Sequence, residues 1–345
     1  MSDAEGQARG VRETAGLFVL ADRAVLAVSG GDRVRWLNGM ITNDVAVLAP
    51  GTRASGCYAA LLTPQGRIVT DLHVCVRTDE IWLELPASRL AAARERLSKL
   101  IIADDVRLVD RSAELARFAL EGPRAREVLA EALGPRRASV LDEVRPDACA
   151  DIVLAGAPAV VAAYGLTGEP GFQLFLPAAG PTREAAHAAL VTAGTGYGLV
   201  VAGAEVLEIL RVESGIPIAG AELTEDVLPP EAHLESAISY TKGCYTGQEI
   251  IARLRSRGQV AHLLVGIAPE GSAPLRRGQP VQLGSEAIGE ITSAVVSPLA
   301  GSIALGFVRR AHAEPGTAVT VDGRVAHVAA LPFVRSRAAD AGNAG

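Results

Sequence analysis

Three observations predict an α+β protein of three lobes, the last of them all-β. Strand-like runs pair across tight turns, helical stripes are interspersed among them without strict alternation, and the helical signal stops after Gly258. The length of 345 residues agrees, since it exceeds one ordinary domain and lets each lobe bury its own core. The expected divisions are a mobile tail at 1–14, a first α+β lobe at 15–115, a second at 116–257, a β-barrel at 258–337 and a mobile tail at 338–345.

In the first lobe the alternating run AVLAVSG predicts a strand, and Gly30-Gly31-Asp32 breaks it before a short helix through Trp36 and Leu37. Two β-rich runs in CYAALLTPQGRIVTDLHVCV flank Thr63-Pro64-Gln65-Gly66, which predicts a hairpin. IWLEL alternates as a further strand, and Leu90, Leu97 and Leu100 mark a helix after Pro86. The second lobe repeats the mixture: strands in RFALEG, IVLAG, AVVAAYGL and GFQLFLP, with helices at 123–133, 181–192 and 202–214. Beyond Gly258, short runs such as VAHLLVGIAP and SIALGFVR are divided by Gly and Pro, the pattern of a small barrel.

Composition narrows the function. A net charge of −6 lacks the basic surface that general nucleic-acid binding needs. The most membrane-like window, Ile152 to Leu166, holds Gly156 and Pro158 and falls short of the roughly 20 apolar residues of a spanning helix, so paired strands are expected and no membrane partner. The start MSDAEGQARG has no secretion-signal pattern, and Cys57, Cys75, Cys149 and Cys244 show no CxxC spacing. A cytoplasmic protein with reduced thiols and no metal site is the expectation.

The stretch Thr241 to Arg255, TKGCYTGQEIIARLR, carries the most chemistry. If extended, it places Lys242 and Cys244 on one face, where an ammonium favours a thiolate. Thr246-Gly247-Gln248-Glu249 reads as a capping box opening a helix through Ile250, Ile251 and Leu254, whose amino end would stabilise the same anion. The competing reading makes Lys242 a solvated charge, Cys244 a small filler and the box an ordinary cap. Other polar candidates are Glu169 and Gln173 around the TGEPGF turn, the pair Arg211 and Glu213 at a helix end, and Asp71 with His73 on one strand face, for which exposure is expected.

KGCYTGQE and RVESGIPIAGAEL together resemble the YgfZ family of folate-binding proteins, relatives of the glycine-cleavage T-protein. LNGMITNDV, GRIVTDL, TGEPGF and SPLAGSIALGFVR extend the resemblance along nearly the whole chain. It implies a three-lobed GcvT/YgfZ-like fold, a tetrahydrofolate pocket between the lobes, and work with iron–sulfur client or assembly proteins. It also implies folate contacts near Asn43, Tyr58, Asp71, Gln173 and Arg211, and a motif in which Gly243, Tyr245, Gly247, Gln248, Glu249 and Arg253 support Lys242 and Cys244. Departures from T-proteins are Thr70 at the first of two usual aspartates, Gln173 for a glutamate, Leu207 for an arginine and Pro86 for an asparagine.

Three functions follow as expectations: a folate-binding accessory of iron–sulfur proteins using Cys244 activated by Lys242, a folate-dependent aminomethyltransferase using Asp71, or a non-catalytic binding module.

Overall fold

The computed structural model describes residues 3–336 and contains the three predicted bodies. One sheet runs, in spatial order, through Gly56–Leu62, Ile68–Val76, Glu80–Pro86, Arg23–Ser29 and Arg107–Asp110, all antiparallel. One of its faces buries Leu61, Leu72, Val74, Ile81 and Leu83 against the helices Arg33–Asn38 and Ala87–Ser98. Because side chains alternate along a strand, Tyr58, Asp71, His73, Cys75, Trp82 and Glu84 fall on the other face.

The second sheet orders Leu199–Ala202, Ala15–Val19, Leu115–Glu121, Gly171–Pro177, Ala157–Ala162 and Cys149–Leu154. The window Ile152 to Leu166 is thus largely a hairpin, as its Gly and Pro predict. Helices Ala125–Leu133 and Gly180–Gly194 cover one face, and part of the other meets the first sheet through Val25, Trp82, Tyr164 and Phe175. The last six strands, His262–Pro269 to Arg324–Ala329, close into a barrel around Ile267, Val281, Ile291 and Val308. Among the described residues no helix is long and apolar enough to cross a membrane.

Four expectations change. Residues 3–13 are a helix and no loose tail: Ala8 and Val11 are fully buried, and Arg12 bonds Glu169 at 2.7 Å and Glu213 at 3.0 Å. The 338–345 tail lies outside the described residues. Strand Ala15–Val19 belongs to the second sheet, where it pairs with Leu115–Glu121, so the 15–115 lobe loses its first strand. The KGCYTGQE stretch, assigned to the second lobe, packs on the first: Tyr245 and Ile251 share a core with Ala60, Leu62 and Ile68. Finally, Cys75 and Cys149 are joined as a disulfide between the two sheets, with Cα atoms 5.9 Å apart, and only Cys57 and Cys244 remain free thiols. A separation of 74 residues hides that pairing from any spacing rule.

Candidate functional site

A cavity of about 660 Å³ opens where the first sheet, the second lobe and the segment at 215–219 meet. Its first wall follows from strand register. Tyr58 stands opposite His73, and His73 opposite Glu84, so three polar side chains form a row across the sheet with Asp71 one step along. The Tyr58 hydroxyl donates to Asp71 Oδ2 at 3.1 Å, while Asp71 Oδ1 is buried without a partner. Burial raises the Asp71 carboxyl above its ordinary value, against the opposing pull of Arg23. Asp71 is therefore a buried cavity carboxyl and not the exposed group expected from its strand.

His73 is stacked face to face on Tyr164, with ring centroids 3.6 Å apart. Burial pushes its imidazole down to about 3, and its Nδ1 has no hydrogen-bond partner. Behind the row, Glu84 accepts from Arg23 Nε at 2.5 Å, Arg117 Nη1 at 3.0 Å and the Tyr164 hydroxyl at 3.0 Å. Burial opposes its ionisation, but the two guanidinium groups win and hold Glu84 far below the usual carboxylate range. Such a clamp fixes the wall, because a buried carboxylate bonded to three side chains has little freedom to move.

Arg211 lines the opposite side of the cavity and is 3% exposed, in contrast to the surface pair expected with Glu213. It binds Glu208, Glu222 at 3.3 Å and the barrel's Ser293 at 2.6 Å, tying the helix Ala204–Glu213 to the third body. Leu207 and Pro86 also line the cavity.

Two residues expected as ligand contacts sit behind the wall. Gln173 is fully buried, donating to Glu121 at 2.9 Å and to the Tyr164 carbonyl at 3.1 Å. Asn43 donates to the Tyr58 carbonyl at 2.8 Å and to that of Ser236 at 3.3 Å. Both brace residues that line the cavity. Thr70 faces away from it, with its hydroxyl on the Asp71 carbonyl at 2.8 Å. The sequence reading missed Arg23, Glu84, Arg117 and Tyr164. An acid in the otherwise apolar run IWLEL was the available signal, since Glu84 shares the buried face of Trp82 and needs a partner there.

KGCYTGQE is arranged differently from its expected extended form. The Lys242 ammonium donates to the carbonyls of Asn38 at 2.6 Å, Ile41 at 3.0 Å and Asn43 at 2.6 Å. That use of all three donors directs it into the first lobe, and burial lowers its value to about 8. The thiol that feels its charge is the buried Cys57, itself pushed up to about 12 by burial. Cys244 is exposed. The extended form behind the expected Lys242–Cys244 pairing is not found: these residues are irregular, the Lys242 ammonium is taken up by three carbonyls, and Cys244 is exposed.

The capping box is absent too. The helix Gln248–Arg257 begins after Gly247 at φ +85°, with no side-chain cap, and a Cβ there would meet the Thr63 carbonyl at 2.7 Å. In place of a Glu249 contact, Gln248 Oε1 accepts from the Tyr245 amide at 3.2 Å. Gly243, Glu249 and Arg253 are exposed, and Tyr245 is buried with the Lys242 ammonium 5.3 Å from its ring. A chain of contacts then runs from Lys242 through Asn43 to Tyr58 and Asp71, joining the motif to the cavity wall.

Comparison with known proteins agrees with this geometry. Residues 2–242 match the GCVT N-terminal domain and residues 263–335 the glycine cleavage T-protein C-terminal barrel domain. The chain is 35% identical to an aminomethyltransferase of Symbiobacterium thermophilum, over 95% of this chain and 88% of that one. It is 34% identical to an aminomethyltransferase of Streptomyces avermitilis, over 94% and 88%. The crystal structure of glycine cleavage system aminomethyltransferase T from Bartonella henselae superposes with a TM-score of 0.82 at 25% identity, over 97% and 90%. On these grounds the chain belongs to the glycine-cleavage T-protein family, an α+β body followed by that family's barrel.

Proposed function

We propose that this protein holds a reduced folate in its central cavity and serves the upkeep of iron–sulfur proteins through Cys244. The family uses tetrahydrofolate. The observation that carries the folate reading is Asp71: a buried carboxyl with an unpartnered oxygen, facing a cavity large enough for a bicyclic ring, is a poised partner for ring N–H groups. Exchanging that carboxyl for an amide, Asp71→Asn, weakens tetrahydrofolate binding by about tenfold in a titration, the scale of one charge-assisted hydrogen bond. Equal affinity in both proteins would remove Asp71 from the site.

The iron–sulfur reading rests on KGCYTGQE, the motif that resembles YgfZ proteins. Lys242 then acts as an anchor: three carbonyl contacts hold the loop so that Cys244 faces solvent, accessible to a client's iron or thiol. The test is the activity of a four-iron cluster enzyme in cells lacking this protein. Rescue by the natural chain and failure by Cys244→Ala supports the reading; equal rescue by both sinks it.

A second reading, folate-dependent aminomethyl transfer, is favoured by the names of the relatives and by the position of Asp71. Strand alternation makes Asp71, and not position 70, the residue that faces the cavity, so Thr70 removes no carboxylate from it. Release of folate-bound one-carbon units from an aminomethyl-loaded carrier protein would establish this reading.

A further inference from the structure

Among the described residues, the Cys75–Cys149 disulfide is the one covalent link between side chains of the first two sheets. Each of its cysteines stands two residues from a side chain that lines the central cavity. On the strand Ile68–Val76, Cys75 shares a face with His73; on the second lobe, Cys149 opens the strand Cys149–Leu154 just after Asp147. His73 and Asp147 meet across the same seam, with Nδ1 of one 3.9 Å from Oδ1 of the other, and the His73 ring stacks on the second lobe's Tyr164. The bridge therefore pins the two chain segments that build this part of the cavity wall.

Its position is unlike that of a staple. Each sheet has a core of its own, and the two also meet through Val25, Trp82, Val160 and Phe175. Beside the bridge, Ser55 Oγ donates to the Cys149 carbonyl at 2.8 Å and accepts from the Cys149 amide at 2.9 Å, while the Tyr164 hydroxyl donates to Glu84 at 3.0 Å. None of these contacts needs the sulfur–sulfur bond. The bridge is also within reach, because a depression of about 130 Å³ between Val76, Arg77 and Thr78 on one side and Asp151 on the other is lined by Cys149. Cys75 does not line it, so Cys149 is the sulfur that an incoming thiol meets first.

We infer that the Cys75–Cys149 bridge is a redox switch on the central cavity, opened by a dithiol and holding the cavity's ligand more tightly when closed. The inference rests on the folate reading above for the identity of that ligand. A thiolate of the dithiol attacks Cys149 Sγ, the bond to Cys75 breaks, and Cys75 leaves as a thiolate that takes up a proton. The second thiol of the reagent then loses its proton, attacks the mixed disulfide and releases Cys149, which is protonated in turn. Two electrons pass from the dithiol to the bridge, the dithiol ends as a disulfide, and the proton count is unchanged. With the bond open, His73, Tyr164 and Asp147 are spaced by non-covalent contacts alone, and a wall less ordered before binding must be ordered by the ligand.

The test titrates 5-formyltetrahydrofolate into the natural chain before and after treatment with dithiothreitol, and again after reoxidation with oxidised glutathione. In denaturant the untreated chain is expected to show two reactive thiols, Cys57 and Cys244, and the treated chain four. Reduction is expected to leave the chain folded, to weaken binding about fivefold and to be reversed by reoxidation. The double variant Cys75→Ser, Cys149→Ser is expected to bind as the reduced chain does and to ignore dithiothreitol. Four thiols in the untreated chain, equal affinity before and after reduction, or a double variant that still responds overturns the switch while the folate reading stands. Unfolding on reduction overturns it as well, by making the bridge a staple. Absence of binding by every form overturns the folate reading and the switch with it.

Discussion

KGCYTGQE and the cavity wall are two polar assemblies on the same lobe, and they were unequally visible. The first is contiguous and can be quoted from the sequence; the second is built from Tyr58, Asp71, His73 and Glu84, which only strand register brings into one row. The contiguous assembly revealed its residues but not their directions, since Lys242 turns inward to three carbonyls while Cys244 faces solvent. In the dispersed assembly direction comes with the strand, because alternate residues share a face. A motif identifies chemistry, and register identifies a site.

The largest test of that contrast strikes the wall. Glu84→Gln leaves Arg23 and Arg117 as buried cations sharing an uncharged partner, and it is expected to cost about 3–5 kcal/mol, read from the denaturant midpoint. A loss under 1 kcal/mol would mean that the clamp is dispensable. Lys242→Met comes next, at about 1.5–3 kcal/mol for a charged donor set withdrawn from buried carbonyls. The anchor role further requires that the pH profile of Cys244 alkylation by iodoacetamide stays where it is in that variant. An upward move of the profile would restore the direct lysine–thiol pairing.

Much of the fold was legible because its signals are local. The Thr63–Gly66 hairpin, the helix expected at 202–214 and the all-β end each depend on residues within a few positions of one another. The amino-terminal helix was not, since DAEGQARGVRE is polar with two glycines; Arg12 is secured by Glu169 and Glu213, more than 150 residues away. Long separation in sequence also hid the Cys75–Cys149 bridge, which spans 74 residues, and the placement of Ala15–Val19 in the second sheet. Within the site, Tyr58, Asp71 and Arg211 came from resemblance and do line the cavity. Gln173 and Asn43 also came from resemblance, yet they stand one layer back, a distinction that needs coordinates.

His73 supplies a smaller, pH-dependent effect. Its folded value of about 3 lies below the ordinary 6.5, so the unfolded chain takes up the proton first and stability is lost as pH falls below 6.5. Glu121 acts in the opposite sense: burial raises it to about 7 from 4.5, and its contribution is lost as pH rises through that interval. The two nearly cancel in the natural chain between pH 5 and 6. Removing the imidazole with His73→Gln exposes the Glu121 slope, and the difference in stability between the two proteins changes by about 1.4 kcal/mol per pH unit there. Parallel curves would place His73 in contact with water.

Cys244 gives the smallest expected effect on stability. An exposed side chain outside the packed core contributes little to folding, so Cys244→Ala is expected to lie within about 0.5 kcal/mol of the natural protein. Its buried counterpart Cys57 fills the first lobe's core, and Cys57→Ala costs about 1–2 kcal/mol by leaving a small void. Alkylation of the native protein should accordingly label Cys244 alone, with Cys57 reacting only after unfolding. A reactive Cys57 in the folded chain would mean that the Lys242 anchor opens, and the two assemblies would then behave as one, with the loop gating the wall that Tyr58 shares with Asn43.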